Sequence, residues 1–145
     1  MRLDLDTYFL RIAEVVATRT TCARRGVGAV AVDLSGHIIS TGYNGVPSGE
    51  PHCNDGHPCA GAHELRGQRT SECKAVHAEA NAISQCAEPE KIHAIYCTLA
   101  PCLECAKLLL LTGCKRVVYK EQHHDIHGIL LLKLQGFTIE QRSIK

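Results

Sequence analysis

The sequence predicts an α/β fold, a mixed sheet with helices on its faces. Three observations carry this. The β-rich runs 27–33 (VGAVAVD) and 37–43 (HIISTGY) flank Leu34-Ser35-Gly36 and read as a hairpin. Further along, runs of helical and β character alternate to the C-terminus. A chain of 145 residues, 45% hydrophobic and 21% charged, is long enough to bury its own core, so 1–145 is expected to be a single domain.

Taken in order, residues 6–19 carry Tyr8, Phe9, Ile12, Val15 and Val16 at helical spacing. Acids among them mark an amphipathic helix and not a signal peptide. The hairpin follows. From Asn44 to about Ser71 the chain is rich in Gly, Pro, Cys and His without apolar periodicity, which predicts a long loop that is functional or stapled by metal. Residues 76–87 read as a helix stopped near Glu88-Pro89, and 93–99 (HAIYCTL) as a strand. Pro101 suits the first position of a second helix, and Gly113 ends it. A short strand at 115–119, a helix at 125–135 ending at Gly136 and a last strand at 137–142 complete the chain. No repeat or low-complexity tract interrupts it.

Sixteen basic and 15 acidic residues give a net charge of +1 with no dominant basic block. That composition speaks against long nucleic acid as a partner, and 4% aromatics without Trp against a stacking platform for single strands. The run Leu108–Leu111 is too short to span a bilayer. Nine cysteines, an odd number, with no secretory signal argue against a disulfide framework and for a cytoplasmic setting. Cys86, Cys97 and Cys114 read as buried structural thiols, which behave as small hydrophobes.

The remaining cysteines and histidines carry the chemistry. Cys102 and Cys105, in Pro101-Cys102-Leu103-Glu104-Cys105, lie three apart on one face of a helix. In the first turn the macrodipole favours their thiolates. With the imidazole of His77, from His77-Ala78-Glu79, they make three ligands of a tetrahedral Zn2+ and leave the fourth position to water. Glu79 is then the candidate proton carrier between that water and a substrate. Residues i and i+2 do not face each other in mid-helix, but at a helix N-terminus the carboxylate can still reach. The plain alternative is a zinc ribbon in which Glu79 is a surface acid.

On these two motifs the sequence resembles the cytidine and deoxycytidylate deaminase family, from about Tyr8 to the C-terminus. Further stretches carry the likeness: Thr21-Cys22-Ala23-Arg24, Val27-Gly28-Ala29-Val30, the loop Gly42-Tyr43-Asn44-Gly45-Val46-Pro47-Ser48-Gly49 and His77–Ile83. The loop points to the deoxycytidylate branch. The resemblance implies a three-layer α/β/α fold with a five-stranded mixed sheet and a homo-oligomer, often a hexamer. It implies hydrolysis of dCMP to dUMP and ammonia, with dUMP feeding thymidylate synthesis. Within the site it implies that Asn44, beside Gly45, binds the sugar hydroxyl and that Arg24 holds the phosphate. The backbone around Ala78, Ala100 and Pro101 is expected to read the base edge. One departure stands out: members often carry Tyr where this chain has His123, a ring that can stack on a pyrimidine but titrates near neutral pH.

Cys22, Cys53, Cys59 and Cys73 form a second group, with His52, His57 and His63 nearby. Cys53-x5-Cys59 in a loop without its own core suits a structural zinc, and the resemblance adds that some relatives carry a second, noncatalytic zinc here. Thiols that merely pack, or a histidine in place of one cysteine, are the alternatives. Rival functions are deamination of another base (dCTP, cytidine or tRNA adenosine) and a zinc-stabilised binding module without turnover.

Overall fold

The computed structural model describes residues 1–23, 25–53 and 74–144. Its elements are α1 (Leu5–Ala17), β1 (Gly28–Val32), β2 (Ile38–Tyr43), α2 (Ala78–Gln85), β3 (Ala94–Leu99), α3 (Leu103–Leu109), β4 (Arg116–Glu121), α4 (His127–Leu134) and β5 (Thr138–Gln141), with a 3-10 turn at Pro89–Lys91. The five strands form one mixed sheet in the order β2-β1-β3-β4-β5. β1 is antiparallel to β2 and β3, whereas β3, β4 and β5 run parallel. The two parallel pairs each need a crossover, which α3 and α4 supply.

Strand alternation sorts the core into two halves. Ala29, Ala31, Ile95, Cys97, Val117 and Tyr119 face α2, α3 and α4. Val30, Val32, Ala94, Tyr96 and Val118 face α1. The result is the expected three layers with a single helix on one side. Cys86, Cys97 and Cys114 are buried free thiols, as expected of small hydrophobes.

α1 corrects the sequence reading. Its inner face is Phe9, Leu10 and Ala13, with Ile12 and Val16 packed beside them, while Tyr8 and Val15 point to solvent. The apolar residues span more than one face, and the sheet face formed by β1, β3 and β4 selects the narrower strip. Asp4 caps the helix by accepting the Thr7 N–H at 3.0 Å. In the first turn of α1, Asp6 accepts from Arg116 at 2.8 and 2.9 Å, Arg142 at 2.9 Å and the Tyr96 hydroxyl at 2.6 Å.

Two further corrections concern helix ends. Pro101 lies outside α3, because Cys102 is the N-cap and Leu103 the first helical residue. The same helix ends at Leu109, four residues before Gly113. Gly113 serves close packing, since a Cβ there would lie 2.0 Å from the Glu90 carbonyl oxygen.

Candidate metal and catalytic site

Both zinc motifs sit at helix N-termini on one edge of the sheet. β3 and β4 end at that edge, β1 starts there and β2 ends there, because β1 is antiparallel to β3. Ligand sites in such sheets favour the carboxyl ends of parallel strands. His77 is the N-cap of α2, with extended backbone (φ −65°, ψ 155°) and a side chain that makes no capping bond. The ring turns instead to the two sulfurs. Nδ1 lies 3.4 Å from Cys102 Sγ and 3.5 Å from Cys105 Sγ.

These separations test whether a metal fits. Tetrahedral Zn–N and Zn–S bonds place their donor atoms about 3.6 Å apart. The donor atoms of His77, Cys102 and Cys105 all lie within 4.8 Å of one another, and no other His/Cys/Asp/Glu group among the described residues has this form. Electrostatics agrees with the geometry. Hydrogen bonding from Cys105 and His77 holds the Cys102 thiol well below the ordinary range, and the shared proton and burial raise Cys105. The Cys102 sulfur in turn raises His77.

Glu79, the second residue of α2, is only 4% exposed. Burial pushes its carboxyl up to about 7, and Cys105 lies within hydrogen-bonding reach of it. The helix start resolves the spacing problem: Glu79 comes to the same donor group although it stands two positions from His77.

Packing fixes both helix starts. A Cβ at Gly42 would lie 2.3 Å from the Ala78 carbonyl oxygen, so the missing side chain lets β2 meet the first turn of α2. A Cβ at Gly128 would lie 2.4 Å from the Pro101 carbonyl oxygen, so α4 presses on the turn that leads into Cys102. Gly45 and Val76 exchange backbone bonds at 3.1 and 2.8 Å, which ties the 44–46 loop to the residue before His77. Asn81 gives the loop further support from Nδ2, donating to the Tyr43 carbonyl at 2.8 Å. The role of Asn81 is not legible in the sequence, because α2 (AEANAISQ) is polar at half its positions and one more polar residue carries no signal.

Asn44 is buried and already engaged. Its Oδ1 accepts the Val27 N–H at 2.8 Å and lies 2.8 Å from the Thr20 hydroxyl, and its Nδ2 donates to the Arg25 carbonyl at 2.6 Å. The side chain thus binds the 20–27 segment to the loop, a role that spacing could not show. Thr21 helps, its Oγ1 accepting the Val46 N–H at 2.9 Å.

Ala78, Ala100 and Pro101 are buried at the same edge, and the Ala100 N–H donates to the Glu121 carbonyl at 2.8 Å. His123 follows β4 by two residues. Its Nδ1 accepts the Asp125 N–H at 3.0 Å, which leaves the proton of the neutral ring on Nε2. Burial and the neighbouring His124 lower its pKa, and it lies within electrostatic reach of Cys102 and His77. Arg24 lies outside the described residues, as do Cys59 and Cys73. Cys53 is buried and Cys22 half-buried, and neither belongs to a three-donor group among the described residues.

Residues 3–121 match the family model for the cytidine and deoxycytidylate deaminase zinc-binding region. The chain is similar to deoxycytidylate deaminase of Schizosaccharomyces pombe, at 35% identity over 97% of this chain and 44% of that one. It is also similar to deoxycytidylate deaminase of Mycobacterium phage D29, at 39% identity over 83% of this chain and 98% of that one. The chain therefore spans less than half of the first relative and nearly all of the second. Among solved structures, the dCMP deaminase of cyanophage S-TIM5 in complex with dCMP and dUMP superposes with a TM-score of 0.74. It is 27% identical, and the match covers 98% of this chain and 99% of that one.

Proposed function

Because this chain belongs to the cytidine and deoxycytidylate deaminase zinc-binding family, we propose that it hydrolyses dCMP to dUMP and ammonia. One observation carries the reading: His77, Cys102 and Cys105 converge with zinc geometry beside a buried carboxyl, Glu79, at the edge where the strands end. Zn2+ in this donor set supplies a Lewis acid that keeps one position for water and lowers its pKa. Glu79 would take the first proton of the attacking water and deliver it to ring N3, then carry the second, from the hydroxyl left on C4, to the departing amine. A carboxyl near 7 suits both directions of transfer at neutral pH.

The remaining roles follow the family likeness. Arg24 holds the phosphate, and Asn44 with Gly45 faces the sugar. In Asn44 one Nδ2 hydrogen is the group available for a hydroxyl, since the rest of the amide holds the loop. Ala78, Ala100 and Pro101 frame the base edge, and His123 stacks on the ring as a neutral Nε2–H donor. We further propose that 1–145 acts as a single domain within a homo-oligomer and that Cys22, Cys53, Cys59 and Cys73 hold a second, structural zinc.

The test is a substrate panel of dCMP, deoxycytidine, dCTP and CMP, with ammonia release read on zinc-loaded protein. The reading expects dCMP to be turned over most efficiently. Preference for dCTP or for the free nucleoside contradicts it. An RNA adenosine substrate would require an electropositive groove, and the balanced charge of the chain offers no support for one.

A further inference from the structure

Arg25 stands in the segment that enters β1, and its carbonyl is fixed by the buried Asn44 at 2.6 Å. Its guanidinium donates to the carboxylate of Glu121, the last residue of β4, 96 positions away in sequence. β1 and β4 flank β3, so the pair spans the end of β3 from which Ala100 and Pro101 lead into Cys102. Glu121 has the same strand parity as Val117 and Tyr119, whose side chains face α2, α3 and α4. The ion pair therefore belongs to the sheet face that carries the zinc donors. Two residues further on stands His123, within electrostatic reach of Cys102.

The metal chemistry does not use this pair. The two side chains are 28% and 52% exposed, and exposed ion pairs contribute little to stability. Both backbones are anchored, Arg25 through Asn44 and Glu121 through the Ala100 N–H at 2.8 Å. The arrangement is a cation on an anchored backbone beside a half-exposed carboxylate. We propose that Arg25 grips the phosphate of the nucleotide substrate and that Glu121 is the resident anion which the phosphate displaces. The inference rests on the cytosine-nucleotide reading above and adds a residue to it.

A guanidinium pairs bidentately with phosphate oxygens as well as with a carboxylate. A phosphate monoester also carries more charge than the carboxylate it replaces. A nucleoside has nothing with which to displace Glu121, so the exchange selects nucleotides at the entrance, before the base reaches the metal.

The experiment uses zinc-loaded protein as the native chain, Arg25→Gln, Glu121→Gln and the double variant. Binding of dUMP is measured by calorimetry, and kcat/KM is measured for dCMP and deoxycytidine. Arg25→Gln should weaken dUMP binding about tenfold or more and lower kcat/KM for dCMP about tenfold further than for deoxycytidine. Glu121→Gln should tighten dUMP binding, because the competing anion is gone, and the double variant should resemble Arg25→Gln. If Glu121→Gln weakens dUMP as Arg25→Gln does, or Arg25→Gln slows both substrates by one factor, the pair is a structural strap and the inference is overturned. Native protein that deaminates no cytosine substrate overturns instead the reading on which the inference rests.

Discussion

Gly128→Ala should damage the metal site although Gly128 carries no side chain and stands 26 positions from Cys102. A Cβ there would lie 2.4 Å from the Pro101 carbonyl oxygen and 2.7 Å from the Cys102 carbonyl carbon and oxygen. Ordinary contacts of this kind begin roughly 1 Å further out. The atoms in the way are backbone, so α4 or the Pro101–Cys102 turn must move by about that distance. Pro101 is fully buried and has little room. Overpacking of this kind costs about 1–3 kcal/mol, or a Tm lower by about 3–10 °C in a domain near this size. Displacement of Cys102 would also spoil its 3.4 Å approach to His77, and an error of about 1 Å at a reacting centre costs on the order of 10² in rate. The assay is thermal unfolding, zinc affinity by chelator competition and ammonia release, with Leu134→Ala, 84% exposed at the far end of α4, as control. A Gly128→Ala protein that keeps native Tm, zinc affinity and turnover refutes the argument that α4 sets the position of Cys102.

Glu79→Gln should retain zinc and bind nucleotide while turnover falls by about 10²–10⁴-fold or more; near-normal single-turnover rates with full metal content would remove Glu79 from the proton path. Asp6→Asn should lower stability by about 2 kcal/mol at pH 7, since the Arg116 guanidinium holds the Asp6 carboxyl well below its usual range and the side chain is 16% exposed. The folded pKa is depressed, so this stabilisation is complete above about pH 4 and is lost as pH falls through the folded value. Urea titrations should show the gap between native and variant closing in acid, and a gap that widens there would show the sign to be wrong. Freshly purified protein should contain two zinc ions per chain, of which Cys53→Ser removes one without touching the other; elemental analysis giving one ion in both proteins would eliminate the structural site.

The hairpin was legible because β-branched runs flank a glycine turn, and Gly36 indeed takes φ +84° there. The metal ligands were legible because both motifs are local: Cys102 and Cys105 need only one helix turn, and His77 needs only a helix start. Less local features were hidden. Nothing in the spacing of Tyr8 to Val16 says that the sheet accepts Phe9, Leu10 and Ala13 and leaves Tyr8 and Val15 in water. The strand order, with β3 inserted between β1 and β4, depends on pairings between distant segments. The bonds of Asn44 to Thr20, Arg25 and Val27 are of the same kind. Pro101 misled by two positions because the residue after it gives its side chain to the metal site and still serves as N-cap, so the helix begins at Leu103. The hold of Asn44 on the 20–27 segment cannot be read from a Gly-rich motif, which signals a turn.

The central claim is that His77, Cys102, Cys105 and Glu79 make this protein a zinc-dependent deaminase of dCMP. Its most direct measurement is ammonia released from dCMP by the native chain with bound metal, after removal of the metal by a chelator, and after zinc is restored. The account predicts one ammonia per dUMP formed, no release from the metal-free protein and recovery on adding zinc, with Cys105→Ala inactive throughout. Equal ammonia release from the metal-free protein, or none from the zinc-loaded native chain, would contradict it.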